Sequence, residues 1–279
     1  MMRIPHLETN ITVACQLRCV SCNHLVALQS GIAKSTMARP DVVYRDLSAL
    51  SRFVHTKAWG ALGGEPTLHP DLVPILQAAQ ASRIADIIEV WTNGISIRKQ
   101  KPQFWQALKG QVLVVSAYPG TLTDDDLVWI DAKCRDEDVR LTVKDERRVP
   151  NFERLLEPHP SGRELTERKY AGCFFRQFSR VVDNGYFFRC CTSPFIPKLL
   201  MGGRHGDDGV PIHEPVLTEE ALQAFLDRRD PMPSCTRCVG LNPQDRQRQP
   251  WREVREPAEW LRASSGVDDG DAGGDTRPW

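Results

Sequence analysis

The sequence lacks the features that direct a protein to a membrane or hold it there. Its first ten residues contain no apolar stretch of the kind found in signal peptides. No uninterrupted apolar run approaches the roughly 20 residues that span a bilayer. We therefore expect a cytoplasmic protein without a membrane partner.

The chain also lacks net charge, because its 36 Lys and Arg residues balance its 36 Asp and Glu residues. An excess of basic residues is typical of proteins that bind nucleic acid or anionic lipid surfaces. Its absence argues against a nucleic-acid partner. The 279 residues suffice for one large domain and a smaller appendage, with a core that needs no disulfide.

The nine cysteines are unevenly grouped, and no targeting signal leads to an oxidising compartment where disulfides persist. We therefore expect reduced thiols that ligate a metal or cluster. The densest group is Cys15, Cys19 and Cys22, with three and two residues between successive cysteines. Three thiolates from one loop can hold three irons of a [4Fe-4S] cluster and leave the fourth iron open. A zinc site is the alternative.

Strands and helices alternate in the first part of the chain. Apolar runs that favour β-strands recur at residues 6–13, 59–62, 86–91, 112–115 and 139–143. Helical periodicity follows Pro40, Pro70, residue 102 and Thr123, and the first helix presents Val43, Leu47, Leu50 and Val54 on one face. This order predicts an α/β fold with a parallel sheet, as an open or partial barrel. Such folds carry their chemistry at the carboxyl ends of the strands.

The character of the sequence changes after about residue 157, where prolines and glycine interrupt the periodicity. Asn184-Gly185 lies between apolar runs and predicts a β-hairpin. Residues 202–215 predict a surface loop, and Thr218 caps a short helix. We expect a barrel over residues 1–157, a small α+β module over residues 158–262, and a disordered tail over residues 263–279.

The module carries a second set of cysteines. Cys173, Cys190, Cys235 and Cys238 can close a fully ligated auxiliary [4Fe-4S] cluster or a zinc site. Cys191 is left over, because neighbouring side chains on a strand point to opposite faces and rarely ligate the same group. A hydrogen-atom donor and a buried structural thiol are its two interpretations. Cys134 lies on the apolar face of a helix and is expected in the core.

The spacing of Cys15, Cys19 and Cys22 resembles the CxxxCxxC signature of the radical S-adenosylmethionine (SAM) enzymes, which bind SAM at the open iron of their cluster. Gly63-Gly64-Glu65, after the second strand, resembles the Gly-Gly-Glu motif that receives the SAM amino group. The resemblance also implies that Thr92, Asn93 and Ser116 line the SAM pocket. One departure is Ser21, which stands where the family often has an aromatic residue that contacts adenine.

The second cysteine set resembles the twitch module, a shortened relative of the SPASM domain. The longer SPASM series is absent, so the resemblance implies one auxiliary cluster beside SAM and the SAM-binding cluster. The resemblance to the radical SAM enzymes covers residues 7 to about 240. It implies the partial TIM-like barrel of that family.

The resemblance implies that a 5'-deoxyadenosyl radical abstracts hydrogen from a carbohydrate, an aminocyclitol or a related natural product, as in antibiotic biosynthesis. The electron would come from a flavodoxin- or ferredoxin-type donor. Cys191 as hydrogen donor gives an epimerase; electron transfer to the auxiliary cluster instead gives a dehydrogenase that oxidises an alcohol to a ketone.

Charged residues at the mouth of the fifth strand are candidates to bind the substrate or move a proton. They are Lys144, Asp145, Arg147 and Arg148, of which Lys144 and Asp145 are the proposed catalytic residues. Two other functions remain open. A peptide-modifying radical SAM enzyme is one, although we find no winged-helix-like leader domain; a non-catalytic zinc protein is the other.

Overall fold

The structure is a computed structural model that describes residues 1–29, 37–147, 152–242 and 248–266. Its strands are β1 (Met2–Thr12), β2 (Val54–Gly63), β3 (Ala85–Thr92), β4 (Val112–Ala117), β5 (Arg140–Asp145), β6 (Phe152–Glu153), β7 (Val181–Asp183), β8 (Tyr186–Phe188), β9 (Gly209–Pro211) and β10 (Arg248–Gln249). Its helices are α1 (Pro40–Leu50), α2 (Leu72–Ser82), α3 (Pro102–Ala107), α4 (Asp124–Asp136), α5 (Arg163–Gly172), α6 (Phe174–Phe178), α7 (Ile196–Leu200), α8 (Glu219–Asp227) and α9 (Pro257–Ser265).

Eight strands form one sheet in the order β5-β4-β3-β2-β1-β7-β8-β9. Strands β1 to β5 are parallel to one another, and β7 is parallel to β1. Strand β8 is antiparallel to β7 and to β9. Strands β6 and β10 form a separate antiparallel pair. The predicted α/β fold with a mostly parallel sheet is confirmed, and the five βα-connected strands form a partial TIM-like barrel.

The first helix begins at the predicted Pro40, and Val43, Leu47 and Leu50 are buried. Val54 was assigned to the same helical face, and this assignment was wrong. The helix ends at Leu50, and Val54 begins β2 with Met2 as its partner on β1. Burial in the sheet gives Val54 the apolar character that mimicked a further helical turn.

Helix α4 shows how local sequence sets an element boundary. Thr123 and Asp126 form the reciprocal hydrogen bonds of a capping box, as the predicted cap requires. Cys134 is buried in the main hydrophobic core, where the sequence pattern had predicted it. The thiol therefore has a packing role and lies apart from both other cysteine sets.

The predicted hairpin forms at Asn184-Gly185, both of which have positive φ angles of 46° and 77°. Its first strand, β7, pairs with β1, so the second half of the chain extends the barrel sheet. Residues 202–215 contain the strand β9, in addition to loop structure. Helix α9 includes the first three residues of the predicted tail, and residues 267–279 lie outside the described part of the chain. Of the described helices, none is both long and apolar enough to cross a membrane.

Candidate active site

The parallel strands surround one cavity of about 860 Å³, hereafter the main cavity. Its lining includes most of the predicted site residues: Cys15, Cys19, Cys22, Gly63, Gly64, Glu65, Thr92, Asn93, Ser116, Lys144 and Cys191. Parallel strands bring their carboxyl ends to one edge of a sheet, which is why residues so distant in sequence meet here. The main cavity is therefore the candidate active site.

The three clustered cysteines lie on one side of the main cavity and carry no disulfide. Burial raises the pKa of Cys15 to about 12, and the nearby Cys22 acts in the same direction. Burial also raises the pKa of Cys19, with further contributions from Cys22 and Cys15. The three thiols are thus mutual neighbours, and soft sulfur donors suit iron-sulfur or zinc chemistry. Within the described ranges, no three His, Cys, Asp or Glu side chains are grouped closely enough to hold one metal ion.

Residues 13–22, which carry the three clustered cysteines, are hereafter the cysteine loop. This loop is covered by residues 248–266, hereafter the C-terminal strap. Backbone hydrogen bonds link Val20 N to Arg252 O at 2.9 Å and Val254 N to Arg18 O at 2.9 Å. The indole N–H of Trp260 donates to the carbonyl of Cys19 at 3.1 Å. The strap and the loop share a second hydrophobic core that contains Val20, Leu25, Val254 and Trp260. The strap therefore fixes the backbone between the cysteines.

Ser21 is engaged by the same strap. Its hydroxyl accepts a hydrogen bond from Gln249 Nε2 at 2.6 Å and lies 3.3 Å from Ser264 Oγ. Tyr118, and not residue 21, contributes an aromatic ring to the lining of the main cavity. This ring stacks on Trp251 with centroids 5.9 Å apart. Burial raises the pKa of Tyr118, and interaction with Ser116 opposes that rise. The sequence signal for Tyr118 was its place directly after β4.

The glycines of Gly63-Gly64-Glu65 allow β2 to approach the cysteine loop. A Cβ atom on Gly63 would collide with Thr12 O, and one on Gly64 would collide with Ala14 O. In return, Gly64 N donates to Thr12 O and Glu65 N donates to Ala14 O, each at 2.7 Å. The lack of side chains at Gly63 and Gly64 is thus required for close backbone approach within the protein itself.

The buried Glu65 carboxylate joins the ends of β2 and β3. Its Oε1 accepts hydrogen bonds from the hydroxyls of Thr67 and Thr92, each at 2.6 Å, and its Oε2 accepts from Asn93 N at 2.7 Å. Burial raises the pKa of Glu65, and these hydrogen bonds oppose that rise. Asn93 Nδ2 then reaches Gln16 Oε1 and Cys15 Sγ, at 3.2 and 3.8 Å. Thr92 is therefore hydrogen-bonded to Glu65, whereas Asn93 bonds both Glu65 and the cysteine loop.

Four distal cysteines line a smaller pocket of about 30 Å³: Cys173, Cys190, Cys235 and Cys238. Burial raises the pKa of Cys235 to about 12, and the charge of Cys190 adds to the rise. Interaction with the neighbouring Cys191 thiol lowers the pKa of Cys190 to about 6. The predicted second cysteine set thus gathers in one place.

Cys191 lines the main cavity instead. It is buried, and Asn23 Nδ2 donates to its sulfur at 3.5 Å. Strand β8 ends at Phe188, so Cys190 and Cys191 lie in the bend that follows it. Cys190 and Cys191 therefore line different pockets, as predicted. The bend after β8 causes this separation, whereas the prediction relied on the alternation of side chains along a strand.

The charged residues of β5 separate as strand geometry requires. Lys144 lines the main cavity, with Nζ 3.8 Å from the centre of the Trp91 ring. Asp145 is not in that lining and pairs with Arg147 at 2.7 Å, and Arg147 also pairs with Asp124 at 2.8 Å. The assignment of Asp145 to the site was therefore wrong, because its neighbour takes the cavity-facing position. Arg148 lies outside the described residues.

Three charged or titratable residues that the sequence analysis did not predict, His6, Glu8 and Glu89, line the same cavity as the predicted Lys144. These four residues are hereafter the barrel cluster. His6 lies between the two carboxylates, with Nδ1 3.3 Å from Glu8 and Nε2 3.2 Å from Glu89. The sequence feature that could have predicted these residues is the alternation of side chains along a strand. Because of it, His6 and Glu8 share one face of β1, and Glu89 and Trp91 share one face of β3. Charged residues at such positions are unusual in a buried parallel sheet.

No protein-family model matches the sequence, and no curated protein matches it. Among solved structures, BtrN in complex with AdoMet and 2-DOIA shares 12% identity, with 84% of each chain covered and a TM-score of 0.47. Streptococcus suis SuiB bound to precursor peptide SuiA shares 13% identity over 85% of this chain and 70% of SuiB, with a TM-score of 0.46. For anSMEcpe with bound AdoMet, the values are 16% identity, 51% of this chain, 43% of that chain and a TM-score of 0.38. Each of these three likenesses has an identity below 25% and a TM-score below 0.5.

Proposed function

We propose that this chain is a radical SAM enzyme whose Cys15, Cys19 and Cys22 hold a [4Fe-4S] cluster, with SAM in the main cavity. One observation carries the proposal: the cysteine loop and the Gly63-Gly64-Glu65 turn are hydrogen-bonded to each other and line the same cavity. When bound, the cluster and SAM supply a 5'-deoxyadenosyl radical that abstracts hydrogen from a C–H bond. The donor set fits, because three thiols without disulfides share one side of the cavity.

The chain's own residues position this chemistry. Glu65 holds the end of β3 against the turn, so that Asn93 can reach the cysteine loop. Tyr118 is our candidate for the surface that adenine contacts, since the Trp251 ring supports it from behind and Ser21 cannot fill that role. Aromatic rings offer the flat, polarizable face that a base stacks on.

The substrate class that we infer is a carbohydrate, an aminocyclitol or a related natural product. A polar ring of this kind suits a cavity that combines the barrel cluster with the rings of Trp91 and Phe178. The outcome that we propose is epimerisation, with Cys191 returning a hydrogen atom from the face opposite to the abstraction. The thiyl radical left on Cys191 would then take up one electron from a flavodoxin- or ferredoxin-type donor and one proton from water.

A dehydrogenase is the second candidate. The four distal cysteines would hold an auxiliary cluster, and Cys190 is the chain neighbour of Cys191, which lines the main cavity. In that reaction, the substrate radical loses one electron to the auxiliary cluster and its hydroxyl loses a proton, which leaves a ketone. A peptide-modifying reaction is a third candidate, and no contact of the described residues favours it over a ring substrate.

Anaerobic purification and reconstitution test the proposal. The protein should bind about eight iron and eight sulfide atoms per chain as two [4Fe-4S] clusters. With dithionite and SAM, it should release 5'-deoxyadenosine and methionine, and Cys19→Ala should abolish both products. A colourless protein that binds zinc and leaves SAM intact would reject the enzyme. In deuterated water, the epimerase should place deuterium at the inverted carbon, whereas the dehydrogenase should form an unlabelled ketone.

A further inference from the structure

Lys144 is an exposed residue that lines the main cavity. Its Nζ lies 3.8 Å from the centre of the Trp91 ring, and the Trp91 indole N–H donates to Glu89 Oε2 at 2.7 Å, which holds that ring in place. With the residues that the structure describes, the ammonium forms no hydrogen bond and no ion pair. The contact with the ring therefore positions the ammonium and leaves its N–H donors to a ligand.

The acidic residues around Lys144 do not neutralise it. Glu8 and Glu89 lie against His6 instead, 3.3 Å from its Nδ1 and 3.2 Å from its Nε2. Burial lowers the pKa of Lys144, and the charges of Glu146, Glu89 and Glu8 oppose that fall without cancelling it. The positive charge is thus only partly compensated, and an anion in the cavity would stabilise it.

A row of rings leads from Lys144 along the cavity wall to helix α6. His6 and Trp91 have ring centroids 5.8 Å apart, and His6 stacks on Phe178 at 5.6 Å. Phe178 stacks in turn on Phe174 at 5.3 Å. Both phenylalanines line the cavity and are 40% exposed, so a ligand can reach them. Ligand cavities commonly combine such apolar rings with a few polar groups that fix orientation.

We propose that the substrate is an acidic ring compound whose carboxylate or phosphate group pairs with Lys144, while an apolar face of its ring packs on Phe178 and Phe174. The inference rests on the proposed function and narrows its substrate class to an acidic sugar. A carboxylate and a phosphate ester satisfy the same ammonium group. SAM carries a carboxylate as well, so SAM must be present when substrate binding is measured.

Saturation-transfer NMR with glucose and glucuronate tests the pairing, because the two sugars differ only at carbon 6. The SAM-bound, reconstituted protein without reductant should bind glucuronate at least about tenfold more tightly than glucose. Lys144→Met keeps an unbranched side chain on the Trp91 ring and should abolish that preference, whereas Lys144→Arg should retain it. If Lys144→Met does not fold, Lys144→Gln serves the same purpose. Glucose 6-phosphate is the third probe, and tighter binding than glucuronate would identify a phosphate ester.

Phe178→Leu tests the ring contact, and it should weaken glucuronate and glucose by a similar factor because an aromatic face does not discriminate their charge. Lys133→Met is the matched control. Lys133 also lies over a tryptophan, with Nζ 5.6 Å from the centre of the Trp105 ring, but it pairs with Glu137 and is absent from the cavity lining. Its substitution should leave all binding unchanged.

Equal binding of glucose and glucuronate by wild type, no binding of either acidic sugar, or wild-type glucuronate binding by Lys144→Met would overturn the proposal. Unchanged binding by Phe178→Leu would overturn the ring contact. A Lys144→Met protein that loses only SAM affinity would assign the ammonium to the SAM carboxylate and overturn the proposal as well. Iron content and 5'-deoxyadenosine release, measured on the same preparations, report separately on the proposed function. A protein without iron that keeps a Lys144-dependent preference for glucuronate would reject the enzyme and keep the acidic ligand.

Discussion

Cys190 and Cys191 are adjacent in the chain, yet their side chains line different pockets. Cys190 lies with Cys173, Cys235 and Cys238, whereas Cys191 lies in the main cavity with the N-terminal cysteine loop. The bend after β8 separates them. Under the proposed function, Cys190 ligates the auxiliary cluster and Cys191 donates the hydrogen atom, so the two can be substituted independently.

Substitution of each cysteine in turn should therefore give different losses. Cys190→Ala should lower the iron content from about eight to about four atoms per chain, because only the auxiliary cluster is lost. Cys191→Ala should keep all the iron and the release of 5'-deoxyadenosine, and should lose only the epimerised product. Iron assays and product mass spectrometry measure these effects. Cys134→Ala, in the hydrophobic core, is the control that should keep both clusters. Loss of iron in Cys191→Ala would contradict the division of roles.

Glu65→Gln should destabilise the site from inside the protein. The amide keeps one acceptor but turns N–H donors toward the Thr92 hydroxyl or the Asn93 backbone N–H, which already donate to Glu65. Leaving buried groups unpaired costs about 1–3 kcal/mol in the free energy of unfolding. Thermal or denaturant unfolding measures the cost, and SAM affinity should fall in parallel. Glu219→Gln, at the exposed start of α8, should change neither quantity.

The C-terminal strap should control how well the cysteine loop retains its cluster. Trp260 is fully buried and donates to Cys19 O, so Trp260→Ala removes both packing and a hydrogen bond. Large aromatic-to-alanine changes in a core cost about 3–5 kcal/mol. The expected result is faster iron loss in air than in wild type. Trp260→Phe keeps most of the packing and should show an intermediate rate, and wild-type retention in Trp260→Ala would contradict the prediction.

His6 should make stability depend on pH in the neutral to alkaline range. Burial lowers its pKa, but the interactions with Glu8 and Glu89 outweigh burial and raise the pKa to about 9 from an ordinary value of 6.5. The folded state therefore binds the proton more tightly than the unfolded state does. The resulting stabilisation is fully present below pH 6.5 and is lost as the pH rises through 9.

The size of this effect is on the order of 3 kcal/mol for a shift of this extent. The unfolding free energies of wild type and His6→Gln should differ more at pH 6 than at pH 9.5. The groups that face His6 are Glu8 and Glu89, and Lys144 interacts with the same two carboxylates. A difference that does not change with pH would show that the pKa of His6 is the same in the folded and unfolded states, and would contradict the prediction.

Local sequence was enough to predict much of the fold. Helical periodicity after Pro40 and Thr123 and the Asn184-Gly185 turn each depend on residues a few positions apart, and each was found as predicted. The error at Val54 arose because a buried strand and a helical face share the same apolar residues. Alternation along β5 also explains why Lys144 faces the cavity while Asp145 pairs with Arg147.

The sequence by itself determined the cysteine spacing, the alternation of strands with helices and the glycine turn, because all of these are set by contacts between near neighbours in the chain. Only the tertiary structure decided which residues meet across long separations. It joined β7 to β1, placed the C-terminal strap over Cys19 and brought Glu8 and Cys191 to the lining of one cavity. The physical reason is that strand order and the path of the chain back over the cysteine loop depend on burial of the whole core, which no local pattern encodes.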